Sequence, residues 1–133
     1  MPITYQIDRE RRLVITTGRG VITDADVFGY QQEVWSRPEN SAYNELIDMT
    51  GVSDIEFISP DRVAKLAKLS SSMDAPGSPS KLAIIATSDL HFGLGRMYQS
   101  HREMAKQSTK AVKVCRSREA ALEWLGVSIK PTP

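Results

Sequence analysis

Apolar positions recur along this chain with two different periods, and the switches between them mark out its elements. In Ile3-Thr4-Tyr5-Gln6-Ile7 every second residue is apolar, which places Ile3, Tyr5 and Ile7 on one side of a strand. A charged turn over 8–12 leads to Leu13-Val14-Ile15-Thr16-Thr17, rich in β-branched residues, and the two runs predict an antiparallel hairpin. Gly18 and Gly20 interrupt the pattern and permit a bend or bulge. The period then becomes helical. Thr23 is a suitable N-cap, and Asp24 and Asp26 fall where the helix dipole favours acids. Val27, Tyr30, Gln31 and Val34 share one face, widened by Phe28 and Trp35. Pro38 closes this helix, and 43–49 reads as a strand again.

Ser59-Pro60-Asp61 is the strongest helix start in the chain: a cap hydroxyl, a proline at the first helical position and an acid in the first turn. Val63, Leu66, Ala67 and Ser70 form its stripe. Residues 70–80 are rich in serine, proline and glycine and predict a mobile loop. The continuous apolar run at 81–87 suits a strand covered on both faces. Ser88 or Asp89 then caps a helix to about Lys106, with Leu90, Leu94, Met97, His101 and Met104 at helical spacing. A short strand at 111–115 follows. Ser117 or Arg118 opens the final helix, with Ala120, Ala121, Trp124 and Leu125 inward and Gly126 as its stop. The order ββαβαβαβα predicts an α/β fold: one five-stranded mixed sheet with about four helices, an N-terminal antiparallel hairpin and then right-handed βα units. The expected domain is 1–127, with a frayed tail at 128–133.

Composition narrows the class more than the activity. A chain of 133 residues suits one domain, and 41% hydrophobic with 25% charged residues excludes wholesale disorder. The longest apolar run, 82–86, is far short of the roughly 18–20 residues a membrane span needs, so stable membrane insertion is not expected. Met1-Pro2-Ile3-Thr4 carries no basic-then-apolar leader, which predicts a cytoplasmic chain. The single cysteine, Cys115, excludes a disulfide framework and a cysteine zinc site. The net charge of +1 conceals a difference between −4 over 1–80 and +5 over 81–133. The basic residues are nevertheless scattered and lack interleaved aromatics, so nucleic acid is not an expected partner.

The layout, together with Leu46-Ile47-Asp48-Met49-Thr50-Gly51-Val52, resembles the anti-sigma-factor-antagonist (STAS) superfamily, in which a strand ending Asp-x-Ser/Thr-Gly-Val leads into a regulatory helix. Its SpoIIAA-like branch, related in fold to lipid-binding CRAL-TRIO domains, is the closer likeness. That likeness rests on Ala83-Ile84-Ile85-Ala86-Thr87-Ser88-Asp89, on Phe92-Gly93-Leu94-Gly95-Arg96-Met97-Tyr98 and on the closing Glu119-Ala120-Ala121-Leu122-Glu123-Trp124-Leu125. The resemblance implies partner switching, with Ser59 at the position of the phosphorylated serine. A phosphate there would add roughly −1.5 to −2 charge beside a helix N-terminus. Ile58-Ser59-Pro60-Asp61 lacks the glycine of the switching pattern, and its serine is also a sufficient N-cap.

Candidate chemistry is sparse. His91 and His101 are ten residues apart on one helix and point in different directions, so they cannot form an i, i+4 zinc pair. His101, in the apolar stripe, is expected to be buried or half-buried, and His91, in the first turn, exposed. Gly93 and Gly95 within a helix together cost roughly 2 kcal/mol against alanine, which calls for a compensating use. That use is close approach to the sheet, or a bare helix start beside Arg96 receiving an acidic head group. No third glycine completes a dinucleotide fingerprint. Cys115 reads as a small buried hydrophobe, and nothing fixes the separation of Asp48 and Glu56.

The expectation is therefore a non-enzymatic, STAS-like regulatory or binding domain that engages a protein partner or a small amphipathic or acidic ligand. Its expected surface joins the Ser59 helix start, the 70–80 loop and the helix at 90–106, with Ser59, Asp61, Phe92, Gly93, Gly95 and Arg96 as binding residues. No catalytic residue, metal or cofactor is assigned. The alternatives are a hydrolase or lyase built on Asp89, His91 and Arg96, and a reversible, peripheral lipid binder. A homodimer is also expected, because the edge of the N-terminal hairpin needs cover.

Overall fold

The computed structural model describes residues 2–56 and 58–127. Its elements are β1 (Ile3–Asp8), β2 (Leu13–Thr23), α1 (Asp24–Trp35), β3 (Asn44–Glu56), α2 (Pro60–Ser72), β4 (Ser80–Ile85), α3 (Asp89–Met104), β5 (Lys110–Cys115) and α4 (Arg118–Leu125). Each helix begins on a hydroxyl. Thr23 accepts from the Asp26 amide at 3.1 Å, and the Asp26 carboxylate accepts from the Thr23 amide at 2.8 Å, a reciprocal capping box. Ser59, Ser88 and Ser117 accept from the amides of Arg62, His91 and Ala120. Gly126, in the left-handed region at φ 73°, ends α4. The tail expected at 128–133 lies outside the described residues.

The strands lie in chain order, β1-β2-β3-β4-β5, with β1 antiparallel to β2 and the remaining pairs parallel. Crossovers of one hand in such a sheet put all their helices on one face, and α1, α2 and α3 do share a face while α4 covers the other. Strand alternation divides the core accordingly. Leu13, Leu46, Ala83, Ile85 and Cys115 meet Ala121 and Leu125 on the α4 side. On the opposite side Val14 packs with Tyr30, Val34 and Trp35 under α1, whereas Leu82, Ile84, Val112 and Val114 pack with Phe92 and Tyr98 under α3.

Two strands run well past the ends expected at Thr17 and Met49. β3 pairs with β4 only from Glu45 to Asp48, but with β2 as far as Thr23↔Glu56, so beyond Asp48 the two strands continue as a parallel ribbon. Register shifts at Thr17/Arg19 and Gly20/Val21 bend it. Both glycines flagged in the sequence are needed there. Gly20 sits at φ 66°, and a Cβ on Gly18 would stand 2.8 Å from the Val52 side chain.

The helix α3 corrects another expectation. Leu90 and Met104 are 67% and 70% exposed, and the buried stripe is displaced by one residue to His91, Gly95 and Arg102, with Tyr98 half-buried between them. The cause is Gly95: a Cβ there would meet the Val114 methyls at 3.0 and 3.2 Å, so this is the line along which the helix can approach β5. His91, expected exposed, is consequently buried, and His101 is half-buried. In α4, Ala120 is exposed and Leu122 takes the inward place expected for it.

Candidate ligand-binding cavity

Between the cluster under α1 and the cluster under α3, the middle of the sheet is roofed by α2, which leans on α3 and α1 and has no substantial contact with any strand. The gap beneath it is a cavity of about 140 Å³. Its floor is the alternating face of β3, Glu45, Ile47 and Met49, flanked by Thr16 on β2 and by Leu82 and Ile84 on β4. Val63 and Leu66 of α2, Val27 and Tyr30 of α1, and Leu94, Gly95 and Tyr98 of α3 line its walls, and Val52, Ile55 and Ile58 line the ribbon side, where Ile55 and Ile58 are partly exposed.

At its inner end the lining turns polar. Glu45 and Lys110 are buried and paired at 3.2 Å, and the Lys110 ammonium lies 3.4 Å from the centre of the Trp35 ring. The Tyr30 hydroxyl donates to Glu45 Oε2 at 2.6 Å, so it can only accept from the Thr16 hydroxyl at 2.7 Å and from Trp35 Nε1 at 3.2 Å. Trp35 Nε1 also reaches Glu45 Oε2. Both carboxylate oxygens are thereby engaged. Burial, then the neighbouring Glu45 charge and its hydrogen bond, hold the Tyr30 phenol well above its ordinary value, so it is a neutral donor. Burial lowers the Lys110 pKa, against the pull of Glu45 and Asp74. Burial likewise pushes the Tyr98 phenol up to about 12, opposed by the Arg102 charge and reinforced by Glu45.

Two clasps hold α2 over this space. At its first turn, Arg62 binds Asp24 at the start of α1 at 2.8 Å and lies 4.2 Å from the centre of the Phe28 ring. Past its C-terminus, both oxygens of Asp74 accept from Arg102 of α3, and Oδ2 also accepts from Ser108 and from the amides of Thr109 and Lys110. The segment expected to be a mobile loop at 70–80 thus begins inside α2 and is tied down at Asp74. It also lies at the opposite end of α2 from Ser59, so the surface expected to join them is not formed.

Of the sequence-predicted site residues, Gly95 lines the cavity. Ser59 and Asp61 are exposed in the first turn of α2, with the Ser59 hydroxyl occupied as the cap. Phe92 is half-buried under the Arg116 guanidinium, 4.0 Å from its ring centre. Gly93 and Arg96 are exposed on α3. Asp89 is 97% exposed and pairs with Arg116, while His91 is buried, and the cavity is lined by none of Asp89, His91 and Arg96. Asp48 accepts from the Thr50 amide and hydroxyl and faces Arg118 at 3.6 Å, on the α4 side. Burial raises the pKa of the Cys115 thiol, as suits an inert core residue. Sequence reasoning passed over Glu45, Lys110, Asp74 and Arg102. A signal existed for the first two, since each charge occupies an end position of an otherwise apolar alternating face, Glu45-Ile47-Met49 and Lys110-Val112-Val114.

The chain matches no family model and no curated protein. It is similar in structure to an uncharacterised protein of the DUF3478 family with a SpoIIAA-like fold from Shewanella loihica PV-4. The TM-score is 0.59 at 18% identity, over 92% of this chain and 93% of that one. The fold is SpoIIAA-like.

Proposed function

We propose that this chain is a non-enzymatic binding domain that holds the apolar part of a small molecule in the cavity beneath α2. One observation carries the reading: α2 roofs the centre of the sheet face without packing onto it, and the space left between them is lined almost wholly by hydrocarbon. Protein interiors are otherwise packed to crystal-like density, so an apolar space of this size, partly open to the surface, supports a binding role. A catalytic reading draws no comparable support, because Asp89, His91 and Arg96 do not face a shared cavity. Among the described residues, no helix is long and apolar enough to cross a membrane.

Methyl-resolved NMR of the purified protein, titrated with a macromolecule-free cell extract, tests the proposal. Shifts confined to methyls of Ile47, Val63, Leu82 and Ile84, with a bound small molecule recovered in native mass spectrometry, are the expected result. Shifts elsewhere, or none with extracts of several growth states, would count against a ligand site here and favour a protein partner.

A further inference from the structure

The volume and the inner wall of the cavity restrict what can occupy it. We infer that the buried part of the ligand is a compact, uncharged hydrocarbon group, a single aromatic ring or a short branched chain, inserted apolar end first. This rests on the binding reading above and adds the chemical class. An apolar protein cavity of about 150 Å³ accommodates one benzene ring, and the space under α2, at about 140 Å³, has that capacity. A long acyl chain exceeds that capacity, so most of it would lie outside the space unless α2 moved.

The inner end excludes an acidic group. Glu45 is a buried carboxylate there, its oxygens taken by Lys110, Tyr30 and Trp35, and the one proton of Tyr30 is already donated to it. An anionic head placed beside them would meet the like charge of Glu45 in a space lined almost wholly by hydrocarbon, where desolvation makes that costly. An acidic group on the ligand therefore remains at the other end. There the partly exposed lining side chains Val27, Ile55 and Ile58 stand where α1, α2 and the β2–β3 ribbon meet. The acidic ligand expected from the glycine pair and Arg96 is accordingly limited to molecules whose acid stays outside.

A ligand ladder decides the matter: benzene, toluene and isobutylbenzene against hexanoate and dodecanoate, each titrated into the whole chain and followed by the same cavity methyls. Toluene is expected to bind saturably with shifts confined to the lining, and Val27→Phe, which places a ring in the space, to weaken it by about ten-fold or more. Leu66→Phe, from the α2 side, provides the same block if Val27→Phe fails to fold. Dodecanoate binding more tightly than toluene would overturn the compact class while leaving a binding cavity in place. Cell extract shifting the cavity methyls where none of the ring compounds does would also overturn the class alone. Silence from the ladder and the extract together would remove both this inference and the reading it rests on.

Discussion

Glu45 is the side chain on which the inner wall depends. Its carboxylate balances the Lys110 ammonium and accepts from Tyr30 and Trp35, so truncation strands a buried cation and the Tyr30 proton at once. Glu45→Ala should cost about 3–5 kcal/mol in denaturant unfolding, the range for breaking one side of a buried pair. The double variant Glu45→Leu/Lys110→Met should cost less than the sum of the two single changes; strict additivity would show that the charges are not coupled. Tyr98 supplies a second test, in alkaline solution. Its folded pKa, about 12, lies above the ordinary 10.0, so between those values the unfolded chain releases a proton that the folded one keeps. Its contribution is therefore complete below pH 10 and disappears as pH rises through about 12. Tyr98→Phe should make the fall in stability across this window shallower by as much as one proton, with the Tyr30 contribution remaining. An unchanged slope would mean that the phenol is solvated.

At the scale of elements, the glycine pair of α3 separates two roles that its sequence spacing merges. Gly93 faces open space, and Gly95 touches Val114. Gly93→Ala should stabilise by roughly 0.4–1 kcal/mol, whereas Gly95→Ala should destabilise by about 1–3 kcal/mol as α3 is pushed off β5. Equal effects in thermal unfolding would refute that close approach. The clasp at the first turn of α2 makes a related prediction. Arg62→Ala leaves the partly buried Asp24 without its cation, and amide exchange in α2 should accelerate more than in β4. Exchange that rises equally in both would identify Arg62 as a general stabiliser instead. Caps, turns and the hairpin were legible because their signals are local: Ser59-Pro60, Gly126 and the alternation at 3–7 each act through neighbouring residues. The ribbon was not, since Gly18-Arg19-Gly20 reads as a break until Val52 comes to lie against it. Nor was the true face of α3, because a glycine and an arginine define it, and Arg102 becomes a core residue only once Asp74 reaches it from α2.

For the whole molecule, the sheet acts as a partition. Its two faces bury separate sets of side chains, and only the α1–α3 face encloses the cavity, while α4 seals the other with Ala121 and Leu125. No segment of the sequence announces that gap, because it arises from how far α2 stands from β3 and from no property of either element alone. The division nevertheless has a measurable consequence. Leu125→Ala, on the α4 side, should lower global stability by about 2–5 kcal/mol, the ordinary cost of a large-to-small core change. It should leave the apparent affinity for toluene unaltered at temperatures where the variant is folded. Val63→Ala, in the roof of the cavity, should instead change the affinity and the preferred ligand size together, since it enlarges the space from within. Saturating toluene should raise the unfolding free energy of the parent and of Leu125→Ala by the same increment, about 2.7 kcal/mol at one hundred times the dissociation constant. An increment that shrinks in Leu125→Ala would show the two faces to be coupled through the strands, and the cavity would then belong to the whole sheet and not to one side of it.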